Sequence, residues 1–145
     1  METLSTRHKV LLFFMLLGVF GAMCIAQEKK YDIKNCVNSF KMEDTVQTKV
    51  GYQYWFADKD FIDGRTLKMS VVEQGKSTHA PHKHLEDEFF FVLEGTAEFY
   101  LDGETVVVEP YTSLYCPSWS MHGISNVGDT TLKYLVIKKY PEEKL

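Results

Sequence analysis

From residue 51 onward the chain is written in short runs whose apolar side chains alternate with polar ones or cluster briefly before a turn residue. That period predicts strands over residues 52–56, 66–74, 89–93, 96–101, 105–109, 122–126 and 131–138. Gly75, Glu94-Gly95, Pro110, residues 117–120 and Gly128-Asp129 punctuate them. Asp102-Gly103, set between two alternating runs, is a two-residue hairpin signal. No stretch after residue 27 sustains the helical period of 3.6, so the expected class is all-β, a sandwich or small jelly-roll barrel.

The N-terminal third reads differently. Residues 10–26 carry no charge and follow Arg7, His8 and Lys9, with small residues up to Ala26. This is the layout of an export signal cleaved after Ala26, and the run is shorter than the roughly 20 residues of a membrane span. An uncleaved anchor, or lipidation at Cys24, is the competing reading. Residues 27–50 are polar and lysine-rich, an extension with room for one short edge strand. The expected organisation is therefore signal peptide 1–26, extension 27–50, barrel 51–140 and tail 141–145. An exported protein, periplasmic or secreted, follows from the signal.

Composition narrows the classes. A chain of 145 residues accommodates one domain. A formal net charge of −4 and a pI near 5.7 argue against nucleic acid as a partner, and the mature domain is not expected to insert into a membrane. Three cysteines are too few for a disulfide framework, although export permits a bond between Cys36 and Cys116. The five histidines are more telling, because His82, His84 and His122 fall where strands would use them.

His82 and His84 are two residues apart and share one face of an extended segment. Glu88 begins the next run and shares its face with Phe90 and Val92. His122 opens a later strand and can bring a third imidazole. Three neutral imidazoles and a carboxylate form a donor set for a divalent transition metal, Fe, Mn, Ni, Cu or Zn. His79, before Pro81 and off this spacing, reads as incidental. Glu86 and Asp87 compete with Glu88 for the carboxylate role but read as solvated loop charges.

This pattern resembles the cupin superfamily. Its first motif is a Gly, then His-x-His, three or four residues, Glu, six residues and Gly. Gly75, His82, His84, Glu88 and Gly95 match it, with one extra residue between Gly75 and His82. The second motif, Pro-x-Gly, two residues, His, three residues, Asn, is met by Pro117, His122 and Asn126. Trp119 stands where a Gly is usual, and Tyr111 where the motif's leading Gly would be. The resemblance spans roughly residues 67–137. It implies a double-stranded β-helix, a metal on His82, His84, Glu88 and His122, and a homodimer.

Around that site Phe90, Val92, Phe99 and Leu101 are expected as an apolar wall, with Trp119 and Met121 near the mouth. Phe90, Phe99, Trp119 and Met121 are thus the expected substrate contacts. Tyr54, Tyr100 and Tyr115 read better as packing aromatics than as acid/base groups. Two functions stay open. One is a metal-dependent enzyme acting on a sugar, uronate or organic acid by isomerisation, elimination or dioxygenation. The other is a non-catalytic carbohydrate- or small-ligand-binding module with a structural metal. A polar inner wall would favour the enzyme.

Overall fold

The computed structural model describes residues 31–61 and 64–140. The expected signal peptide 1–26 and tail 141–145 lie outside the described residues. The chain divides into two compact units, 1–36 and 37–145. In the described part of the first, Asp32 closes a turn: its Oδ1 accepts the Lys34 and Asn35 amides, and its carbonyl accepts the Cys36 amide.

Among its described residues the second unit has nine antiparallel strands and one short 3-10 turn, Met42–Asp44. The strands are β1 (Val46–Thr48), β2 (Gly51–Ala57), β3 (Arg65–Val72), β4 (Glu88–Glu94), β5 (Ala97–Leu101), β6 (Glu104–Val108), β7 (Ser113–Cys116), β8 (His122–Asn126) and β9 (Leu132–Lys139). They form a six-stranded sheet, β1-β2-β3-β9-β4-β7, and a three-stranded sheet, β6-β5-β8. The expected all-β jelly-roll is the architecture found. The β1–β2 hairpin, with Thr48 opposite Gly51, carries the sheet into the segment read as a polar extension. No helix among the described residues is long and apolar enough to cross a membrane.

Alternation dictates what each face does. On β3, β9 and β4 the inward positions fall in register, so Val72 faces Leu132, Ser70 faces Tyr134, and Tyr134 faces Val92. Leu132, Val72 and Val92 are at most 1% exposed and anchor the core with Ala97, Ile124 and Leu114. Along the same faces the rows change character toward the other end. Lys68 lies opposite Val136 and next to Phe90's row, and Thr66 lies opposite Lys138, which lies opposite Glu88 and then Cys116. One end of the barrel is thus oily and the other polar.

The outer face of the large sheet carries a second cluster around Tyr54, Met69 and Val71. Phe40 packs edge-on against Tyr54, whose hydroxyl donates to the Ser39 carbonyl, so residues 38–40 lie over this face. Asp102 and Gly103 both have positive φ, a conformation that suits a two-residue turn between right-twisted strands.

Candidate metal centre

His82 and His84 come from the loop before β4 and His122 opens β8, and the backbone ties the two segments together. His82 and His122 exchange amide-to-carbonyl hydrogen bonds of 2.9 and 2.8 Å, a lone antiparallel bridge at the start of β8. The Trp119 amide donates to the His84 carbonyl at 2.8 Å, and the Ser118 hydroxyl donates to the Leu85 carbonyl. His82 and His84 therefore sit on a pinned loop and not on a regular strand. Glu88 is the first residue of β4, facing inward with Phe90 and Val92, as period-2 alternation requires.

The ligand-capable atoms of His82, His84 and His122 all lie within 4.8 Å of one another. Glu88 Oε1 is 3.0 Å from His122 Nε2 and 3.6 Å from His84 Nε2. Each ring is aimed by its other nitrogen. The Nδ1 atoms of His82, His84 and His122 contact the carbonyls of Ala80, Glu86 and Ser120 at 3.3, 2.8 and 2.9 Å. A carbonyl only accepts, so Nδ1 carries the hydrogen, and in the neutral ring Nε2 presents a lone pair. Across 3.0 Å, His122 Nε2 and Glu88 Oε1 then meet as two acceptors, a contact that a cation relieves. The donor set fits a divalent metal on these chemical grounds.

Neighbouring charges divide into two sides. Glu86 Oε2 lies 3.5 Å from His84 Nδ1, behind the ring, whereas Glu88 approaches the Nε2 edge. Lys138 Nζ donates to His84 Nε2 at 3.0 Å and lies 3.8 Å from both Glu86 and Glu88. Glu86 is thus half-buried and paired, not a freely solvated loop charge, and Asp87 accepts from the Tyr115 hydroxyl at 3.1 Å. Cys116 also falls in reach of Glu88 and His122, but burial pushes its thiol up to about 12 and leaves it a poor donor at neutral pH. Cys36 and Cys116 are both free, the first exposed and the second buried.

A cavity of about 220 Å³ opens beside these groups. Its wall includes Lys68, Thr66 and Trp55 from β2 and β3, Tyr134 and Lys138 from β9, and Thr78 and His79 from the loop before His82. Tyr134 and Thr78 share a 3.2 Å hydroxyl contact, and burial raises the Tyr134 phenol above its usual range. Burial also lowers the Lys68 ammonium, opposed by the Glu88 charge, and lowers His79, which Lys68 depresses further.

This wall is more polar than the apolar lining read from the sequence. Of the four expected contacts, only Phe90 lines the cavity. Phe99 is buried behind it, ring to ring at 6.3 Å. Trp119 is 60% exposed and is outside the lining, serving the site through its amide bond to His84. Met121 is held by an amide bond of 2.7 Å to Asp102 Oδ1. His79, read as incidental, lines the cavity with its ring 5.3 Å from that of His82. The inward polar residues Lys68, Tyr134 and Lys138 were legible only through strict alternation with Val72, Leu132 and Val136.

Comparison with known proteins bears on the fold and on the stretch that carries these residues. The Bradyrhizobium protein 5-nitrosalicylic acid 1,2-dioxygenase is 36% identical over 56 residues, 38% of this chain and 27% of its own length. An uncharacterized protein of Methanocaldococcus jannaschii is 30% identical over 71 residues, 49% of this chain and 57% of its own. The chain thus spans little more than half of one curated relative and about a quarter of the other. Among solved structures, the polyketide cyclase RemF of Streptomyces resistomycificus superposes with a TM-score of 0.60 at 22% identity, covering 74% of this chain and 82% of its own. That likeness speaks for the fold alone. The family model described as Cupin domain matches residues 68–138, just under half of the chain and the stretch holding Lys68, all four expected donors and Lys138.

Proposed function

We propose that the protein is a metal-dependent enzyme that acts on a small polar compound, with one divalent transition ion held by His82, His84, His122 and Glu88. The observation that carries this reading is the convergence of three Nε2 lone pairs and a carboxylate, each Nδ1 being tied to a backbone carbonyl. Such an ion supplies Lewis acidity, a more acidic bound water or, if redox-active, a site for dioxygen. Isomerisation, elimination and dioxygenation all fit that chemistry, and the dioxygenase name of the Bradyrhizobium relative supports the last.

The chain's own groups then have definite tasks. The carbonyls of Ala80, Glu86 and Ser120 hold the imidazoles in one tautomer. Ligation through His84 Nε2 takes the acceptor from Lys138, whose ammonium retains Glu86 at 3.8 Å and stays beside the site. The hydroxyls of Thr66, Thr78 and Tyr134 offer donors and acceptors to a substrate, and Phe90, Ile124 and Val136 keep one side dry. This acid/base-capable wall favours an enzyme over a binding module with a structural ion. Export to the periplasm or exterior and pairing as a homodimer complete the proposal, motivated by the N-terminal signal and the cupin resemblance.

The test is turnover. Metal-loaded protein is incubated with sugars, uronates and organic acids, in air and without oxygen, and products are followed by mass spectrometry. Turnover that disappears in His82→Ala supports the proposal. Metal-dependent ligand binding without turnover of any compound replaces it with the binding module.

A further inference from the structure

We propose that the compound bound in this cavity is a small organic acid whose carboxylate sits on Lys68, so that neutral sugars are not its substrates. The inference rests on the enzymatic reading above and narrows it to one substrate class. It starts from a charge imbalance. Among the described residues the cavity is lined by two ammonium groups, Lys68 and Lys138, and a single carboxylate, Glu88. A divalent ion on the histidines widens that excess of positive charge.

The two lysines are not equivalent. Lys138 is within 4 Å of Glu86 and Glu88 and donates to His84, so its charge is already answered. Among the described residues no carboxylate lies within 4 Å of Lys68 Nζ. Lys68 Nζ instead lies over the Trp55 ring, 5.1 Å from its centroid. Strand register explains this placement. Lys68 is on the inward face of β3 between Thr66 and Ser70, opposite Trp55 on one side and Val136 on the other. An inward ammonium without a counter-ion costs free energy, and an anion in the cavity removes that cost.

Size and shape restrict the anion further. A cavity of about 220 Å³ has room for a small acid. Trp55 and Phe90 present flat walls, and the Thr78–Tyr134 hydroxyl pair stands ready for a second polar group. A neutral polyol of the same size would leave the Lys68 charge unanswered.

The experiment is calorimetric titration of the full chain with two matched pairs, acetate with acetamide and benzoate with benzamide. Each pair is run on chelator-treated protein and on protein loaded with Zn(II), because a carboxylate can also bind the ion. The expected result is that at least one acid binds in both forms and its amide binds at least tenfold more weakly. Lys68→Met should lose about tenfold to hundredfold of the acid affinity while Zn(II) still binds one per chain, and Lys68→Arg should recover part of it. Equal affinity for acid and amide, no binding of either acid, or unchanged acid affinity in Lys68→Met overturns the assignment. If Lys68→Met does not fold, the acid–amide contrast in the chelator-treated wild type and the Arg variant decide. Loss of Zn(II) binding in the wild type is a separate result, and it strikes the metal reading without touching the Lys68 contrast.

Discussion

Replacing Glu88 by Gln keeps the shape of the side chain and removes the single negative charge that reaches the Nε2 side of the histidines. Glu88 is 6% exposed, and its Oε1 is 3.0 Å from His122 Nε2 and 3.6 Å from His84 Nε2. Glu86 is the natural control, since it lies two residues away, contacts the same imidazole and pairs with the same lysine. Its carboxylate, however, meets His84 at Nδ1, and the closer acceptor there is its own backbone carbonyl at 2.8 Å, which Gln retains. Loss of an outer partner of a metal ligand typically costs about 10–100-fold in affinity, and Glu86→Gln should fall at or below the lower figure. Glu88→Gln removes a donor's charge and should cost at least about 100-fold, near 2.8 kcal/mol. The assay is competition for Zn(II) against a chromogenic chelator, on samples shown by circular dichroism to be equally folded. Equal losses in the two variants would refute the assignment of Glu88 as the ligand and Glu86 as its outer neighbour.

Four further outcomes follow from the fold. Tyr111 is 81% exposed at φ 65°, in the left-handed region, where a non-glycine residue costs about 1–2 kcal/mol; Tyr111→Gly should therefore raise stability in urea by roughly 0.5–1 kcal/mol once the glycine's own entropy is set against it. Asn126 donates to the Val72 and Thr130 carbonyls and accepts from the Gly128 amide while 1% exposed, so Asn126→Ala should cost about 2–4 kcal/mol by the same measurement. At pH 8, a thiol reagent should modify exposed Cys36 and spare Cys116 until the protein unfolds. Because folding raises the Cys116 thiol from 9.0 to about 12, its contribution is complete below pH 9 and drains away between 9 and 12, as the unfolded chain ionises first; Cys116→Ser should show a shallower loss of stability over that window.

Much of this architecture was legible where one physical rule dominated. Asp102-Gly103 gave the hairpin because this pair readily takes the two positive φ values found in its tight turn. Glu88 was placed by parity with Phe90 and Val92, and the three bury together. The departures from the cupin pattern also have a backbone meaning: Tyr111 and Trp119, standing where glycines are usual, have φ of 65° and 63°. β7 escaped notice because Ser113–Cys116 is four residues long and alternates exposed and buried without an apolar run. The loop carrying His82 and His84 takes its order from distant partners, the His122 backbone and the Trp119 amide, which local pattern does not encode. The polar wall was missed for a related reason. A lysine in a strand is ordinarily solvent-facing, and only the run Thr66, Lys68, Ser70, Val72 shows that this one points inward.

The central claim is that these side chains hold a metal ion, and metal content measures it most directly. Elemental analysis and native mass spectrometry of the purified protein, before and after chelation and reconstitution, should give about one divalent transition ion per chain, lost on His82→Ala or His122→Ala. Protein that carries no metal as isolated and takes up none on reconstitution while folded would contradict the account.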